Sequence, residues 1–135
     1  SIRRYPHISD IVSRRSFFGN MFPSYLDGYL MKDTNLDEEQ EVDWAIGGCF
    51  MMRRDLFQKL GGFDERFFLF FEDTDLCRRC HEVGKKVIYL PSVSASDRKN
   101  RLSGESFWDL LFKKTGRIHV SSAFKYFWKW KGKHS

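Results

Sequence analysis

The chain reads as one α/β domain. Three observations predict it: apolar runs of strand length at 42–52 and 86–90, stretches of helical period between and after them, and glycine or proline stops separating the two. Its 135 residues, 41% of them hydrophobic, are enough for one real core.

The elements follow in order. Residues 1–30, with Pro6, Gly19, Pro23, Gly28 and scattered aromatics, hold no sustained period and predict irregular structure that wraps another part of the molecule. Asp33 to Glu41 (DTNLDEEQE) is a like-charge run and predicts a solvated loop. Val42 to Met52 (VDWAIGGCFMM) is mostly apolar and predicts a buried strand, broken by close backbone approach at Gly47-Gly48. Arg53 to Leu60 places Leu56, Phe57 and Leu60 on one stripe and stops at Gly61-Gly62, a normal helix C-terminus. A second helix from Asp73 to Val83 ends at Gly84, and Lys86 to Leu90 is a short strand closed by Pro91. Ser92 to Gly104 is a polar loop, and helices Glu105–Lys114 and Ile118–Trp130 finish the chain. No internal repeat is visible.

Composition narrows the class of function. No segment is apolar for the length of a membrane span, the start lacks the apolar core of a secretory signal, and Cys49, Cys77 and Cys80 make an odd number. The expectation is therefore a cytoplasmic protein. Cys77 and Cys80 form a CxxC beside His81, but no second pair stands at metal spacing, and both thiols share an apolar helix face with Leu76; a zinc site is not expected. The net charge of +5 is uneven: residues 1–15 carry four arginines, and 113–133 carry seven Lys or Arg and no acid. Such an end faces phosphate or lipid. No glycine-rich phosphate loop is present.

The densest chemistry is GGFDERFFLFFEDTDLCRRC, residues 61–80. Glu72, Asp73 and Asp75 follow directly on the apolar run Phe67 to Phe71, which brings three carboxylates to the edge of a buried surface. Carboxylates placed there suit proton transfer, because a less polar setting makes the charged form a better base. They equally suit a helix N-terminus, where Asp73 or Asp75 would cap the first turn. Asp75 and Arg79, four apart on one helix, predict a supporting ion pair.

The string from Val42 through Pro91 resembles the C-terminal half of family 2 glycosyltransferases of the bacterial rhamnosyltransferase type. That pattern is a Gly-Gly strand, an arginine-initiated helix, GGFDE, two phenylalanines leading to ED-x-DLC-x-R, and a glycine before a closing strand. Arg4-Tyr5-Pro6 and the trailing helices resemble that group too, so the likeness covers most of the chain. It implies the C-terminal part of a GT-A fold, with residues 41–104 as its core, 105–135 as a helical basic and aromatic tail, and a nucleotide-binding half upstream.

It also implies roles. Asp73 would be the general base, taking the proton from an acceptor hydroxyl as that oxygen attacks the anomeric carbon and displaces a nucleoside diphosphate with inversion. Glu72, with Asp43, Gly47 and Gly48, would bind acceptor or donor sugar. Partners would be a nucleotide-sugar, possible rhamnose donors included, and a glycan or lipid-linked acceptor for a cell-surface polysaccharide. A divalent metal, Mg or Mn, is expected for the full-length enzyme with its ligands mostly outside this chain. Asp73-Thr74-Asp75 only imitates the metal-binding Asp-x-Asp in spelling, and no residue here is assigned as a metal ligand. Where such enzymes carry a histidine after the closing strand, this chain has Ser94-Ala95-Ser96-Asp97. Arg98, Lys99 and Arg101 could neutralise the diphosphate instead, or form a solvated basic loop.

Two readings of the tail stay open. In SAFKYFWKWKGK, residues 122–133, aromatics alternate with lysines. That suits peripheral contact with the inner face of the cytoplasmic membrane, and equally a helix packing one face on its own core. A nucleic-acid module is disfavoured, because the positive charge is split between two ends and no recognition motif appears. A non-catalytic interaction or membrane-surface domain is the remaining alternative.

Overall fold

The computed structural model describes residues 2–7, 35–95 and 114–132. Among them the order is β1 (Ile2–Arg3), β2 (Gln40–Glu41), β3 (Trp44–Ala45), α1 (Arg54–Lys59), α2 (Glu72–Glu82), β4 (Ile88–Tyr89) and α3 (Lys114–Lys129). The strands form two antiparallel pairs, β1 with β3 and β2 with β4. Ile2 faces Ala45 and Arg3 faces Trp44; Gln40 faces Tyr89 and Glu41 faces Ile88. The result is a mixed helix and strand unit.

Two strand expectations are corrected. The acidic run is not loop to its end, because Gln40 and Glu41 pair with β4. Val42, 3% exposed, explains why: its amide donates to Val87 O at 2.9 Å, and burying it draws the preceding backbone into the same ladder. Nor is 42–52 one buried strand. Only Trp44–Ala45 pairs as β3; at Gly47-Gly48 the chain turns, and Ile46, Phe50 and Met51 are exposed. Apolar composition marks the buried half, while the paired glycines end it.

The helices match more closely. α1 is closed by Gly61 (φ 79°) and Gly62 (φ 72°), whose amides donate to Gln58 O and Phe57 O. α2 is closed by Gly84 (φ 72°), whose amide donates to His81 O at 2.9 Å. α2 buries Thr74, Asp75, Leu76 and Cys80. α3 begins at Lys114, four residues before the stripe read from the sequence. Gly116 hides that first turn from a periodicity argument, since glycine costs about 1 kcal/mol in a helix interior; it is buried here. The expected helix Glu105–Lys114 lies, but for its last residue, outside the described residues.

Phe67, Phe71, Ala123, Tyr126 and Trp130 make the main hydrophobic cluster, with Phe70 and Phe127 packed against it. The aromatic run is only partly interior, since Phe68 is 84% exposed. Beside this cluster sits a buried charge. Asp75, 0% exposed, accepts hydrogen bonds from Arg79 Nε (2.8 Å), Lys129 Nζ (2.9 Å) and Trp130 Nε1 (2.9 Å). Lys129 also reaches Asp64 at 2.7 Å, and Arg79 donates to Leu60 O at 2.7 Å. One carboxylate thereby ties the end of α1, the turn carrying Asp64, α2 and the end of α3 together.

Candidate functional site

Two consecutive phenylalanines set up the site. Phe70 (φ 68°) and Phe71 (φ 70°) both hold the left-handed backbone conformation, which costs an L-residue about 1–2 kcal/mol. Packing holds them there. The Phe71 ring lies 5.1 Å from Tyr126 and 5.5 Å from His119, Phe70 lies 4.7 Å from His119, and Ser122 Oγ donates to Leu69 O at 2.8 Å. α3 therefore clamps the residues that launch α2. Strain of this kind concentrates at functional sites, where it fixes a direction of approach. Here it fixes Glu72 and Asp73.

Asp73 is half-buried and spans two segments far apart in sequence. Its Oδ2 accepts from the Gly47 amide at 2.8 Å; its Oδ1 accepts from the Thr74 amide at 2.7 Å and the Thr74 hydroxyl at 3.3 Å. A Cβ on Gly47 would stand 3.3 Å from Asp73 Cβ, so glycine there is what lets the carboxylate lie on the turn. The Thr74 amide belongs to the first turn of α2, so Asp73 does part of a cap's work. Phe71, the residue preceding α2, makes no side-chain cap bond. A carboxylate offers about four lone-pair sites, which leaves capacity for an incoming hydroxyl.

Glu72 stands in a different state. It is half-buried, and its Oε2 is buried without a hydrogen-bond partner among the described residues. Burial, reinforced by the neighbouring Asp73 charge, pushes its carboxyl above the usual range. Glu72 thus lacks the donors that hold Asp73, whose oxygens rest on the Gly47 and Thr74 amides.

The remaining expected site residues separate. Asp43 Oδ2 accepts from the Tyr5 amide at 2.9 Å, and Trp44 Nε1 donates to Arg4 O at 2.8 Å, so this pair fastens β1 to β3. Gly48 has open space where a side chain would start. The pairing of Asp75 with Arg79 is present, but it faces the buried network, away from the Gly47 turn. Arg98, Lys99 and Arg101 lie outside the described residues. No group of three or more His, Cys, Asp or Glu able to hold a metal occurs among the described residues, and Asp75 is already committed to cations. The residues described thus do not fit a metal ion. Burial pushes the Cys77 thiol up to about 11, and raises Cys80 as well, so both stay protonated.

Residues 32–101 match the family described as the N-terminal domain of galactosyltransferase. The chain belongs to this glycosyltransferase family. The glycosyltransferase chain is 39% identical over 66 residues, 49% of its length, to N-acetylglucosaminyl-diphospho-decaprenol L-rhamnosyltransferase of Mycobacterium tuberculosis, covering 22% of that protein. It is 28% identical over 126 residues, 93% of its length, to rhamnosyltransferase WbbL of Escherichia coli, covering 43% of that protein. It is 33% identical over 110 residues, 76% of its length, to O-antigen biosynthesis protein RfbC of Myxococcus xanthus, covering 8% of it. The chain thus spans less than half the length of each of these relatives. No solved structure shows a significant match to it. The rhamnosyltransferase resemblance read from Val42 to Pro91 is upheld by these relatives.

Three residues of the glycosyltransferase chain escaped the sequence reading: Asp64, Lys129 and Trp130. Asp64 stands inside the quoted GGFDE, and Arg66 beside it holds its carboxyl well below the usual range, with Lys129 adding to the effect. Only the 65-residue separation from Lys129 hid the pairing. Trp130 stands among the tail aromatics in the sequence, and only the packing of α3 brings its indole N–H to Asp75, 55 positions away.

Proposed function

We propose that the chain supplies the acceptor side and general base of an inverting GT-A glycosyltransferase that acts in cell-surface polysaccharide synthesis. Asp73 takes the hydroxyl proton of the acceptor while that oxygen attacks the anomeric carbon of a nucleoside-diphosphate sugar; the C–O bond forms as the bond to the diphosphate breaks. The observation that carries this reading is Asp73 itself, aimed by the Gly47 amide and launched from two strained phenylalanines. An alcohol is a poor nucleophile near neutral pH, and a positioned carboxylate contributes roughly a hundredfold or more. Glu72, whose buried Oε2 has no hydrogen-bond partner among the described residues, orients the same hydroxyl or a neighbouring one.

The relatives' names guide the substrates. A rhamnose donor and an acceptor carried on a diphospho-polyprenol are the first choice, with the nucleotide-binding half and the ligands of any Mg or Mn in the rest of a longer parent, at the cytoplasmic face of a membrane. Arg98, Lys99 and Arg101 remain the candidates for the leaving diphosphate, and Asp43 and Gly48 for sugar contact.

The test is transfer by the parent enzyme from nucleoside-diphosphate rhamnose to N-acetylglucosaminyl-diphospho-polyprenol, with the product anomer assigned by NMR. Rhamnosyl transfer with inverted configuration is expected. Transfer with retained configuration would remove Asp73 as a simple base, and no transfer from any nucleoside-diphosphate sugar would end the reading.

A further inference from the structure

α3 has two faces, and only one packs against the other described residues. Ser122, Ala123, Tyr126 and Trp130 are buried. Opposite them, Val120, Phe124 and Trp128 recur every fourth residue and are 45%, 68% and 70% exposed. The Phe124 and Trp128 rings stack on each other with centroids 6.1 Å apart and planes 26° apart, forming one aromatic plate on the surface. A core explanation accounts for Tyr126, Phe127 and Trp130 and leaves this plate outside.

Charge says what the plate faces. Lys114, Arg117, Lys125 and Lys131 are all exposed on α3 or just beyond its end. At 100° per residue Arg117 falls between Phe124 and Trp128, and Lys125 falls on the flank beyond Trp128, where its Nζ also donates to Arg66 O at 3.0 Å. Lys131 Nζ sits 5.8 Å from the Trp128 ring centroid. From Lys114 to the end of the chain the sequence has no carboxylate. Aromatic rings flanked by long cationic side chains on a helix without acids match a bilayer interface: the rings enter the headgroup boundary while the cations stay at the level of anionic lipid phosphates. α3 is not long and apolar enough to cross a membrane, so contact would be along its side.

We propose that the Val120, Phe124 and Trp128 face of α3 docks on an anionic phospholipid surface. The proposal rests on how α3 packs, so it stands or falls apart from the transferase reading.

The experiment is co-sedimentation of the chain with phosphatidylcholine vesicles, with and without about one third phosphatidylglycerol, at low and high salt. The chain should pellet with the anionic vesicles, lose binding as salt rises, and quench its tryptophan fluorescence on brominated acyl chains. A Phe124→Ser/Trp128→Ser variant should lose on the order of tenfold in partitioning. Both side chains are exposed, so its circular dichroism should match that of the unchanged chain. Trp128→Tyr, milder still, should remove most of the bromolipid quenching while leaving binding. Equal pelleting of the chain and the double variant, or no pelleting with anionic vesicles, overturns the proposal. So does concentration-dependent self-association that the double variant abolishes, which would give the face to a second copy.

Discussion

Asp73 and Asp75 are two residues apart on α2 and have opposite fates. Asp73 is half-buried and rests on the amides of Gly47 and Thr74 and the Thr74 hydroxyl, none of them a cation. Asp75 is fully buried and takes Arg79, Lys129 and Trp130. Two steps on a helix turn a side chain by about 200°, so one carboxylate looks onto the glycine turn and the other into the joint between helices. The lesson is that charge count says nothing about role here. Partners do: amides hold a carboxylate in position while leaving lone pairs open, whereas a buried cage of cations uses them up.

The comparison can be broken most forcefully at Asp75. Asp75→Ala should cost about 3–5 kcal/mol, because it takes the carboxylate out of a buried cluster, leaving Arg79 only the Leu60 carbonyl and Lys129 only Asp64. Against a typical stability of about 5–15 kcal/mol, that is enough to leave much of the chain unfolded on warming. Urea unfolding of the chain measures it, and a loss below about 1 kcal/mol would show that α3 is held by its aromatics alone. Lys129→Met keeps Arg79 and Trp130 on Asp75 and should cost less, about 2 kcal/mol, read in the same titration.

Gly47→Ala probes the other side of the helix. The added methyl lies 3.3 Å from Asp73 Cβ, so the carboxylate must shift by a few tenths of an ångström. Transfer by the parent should fall about tenfold, with melting little changed. An unchanged rate would mean that the position of Asp73 does not matter to chemistry.

The pH dependence sharpens the same contrast more gently. Asp64, paired with Arg66 and Lys129, has a carboxyl held well below its usual value. It therefore contributes stability that is full above the ordinary carboxylate pKa of about 4 and is lost as the pH falls through the depressed native value. Glu72 has the opposite sign. Its raised carboxyl favours the folded state at low pH and loses that contribution as the pH rises. Asp64→Asn should flatten the acid limb of a stability profile, and Glu72→Gln should raise stability near neutral pH.

Much of the fold was legible because glycine stops and helical stripes act locally. Gly61-Gly62 and Gly84 end α1 and α2 where the sequence places them, and the spacing of Asp75 and Arg79 announces an ion pair. The site was legible only in part. Gly47-Gly48 signalled close approach, but the group that approaches Gly47 is Asp73, 26 positions on. The strain at Phe70 and Phe71 left no trace, since a phenylalanine pair reads as core or strand and left-handed backbone is expected of glycine or asparagine. The tail aromatics divided between core and surface because a helix has two faces and the lysines are spread over both. Lys129 turns inward to Asp75, while Lys125 donates to Arg66 O at the surface and Lys131 lies over the Trp128 ring.

The most direct trial of the central claim is Asp73→Asn in the parent enzyme, with sugar transfer and thermal melting measured on the same preparation. Asparagine keeps one acceptor oxygen, which can still take the Gly47 amide at the expense of the Thr74 bond, but it cannot take a proton. The account requires transfer to fall by roughly a hundredfold or more while the melting temperature stays within a few degrees. Full turnover by that variant, or a collapse in its melting to match Asp75→Ala, would contradict it.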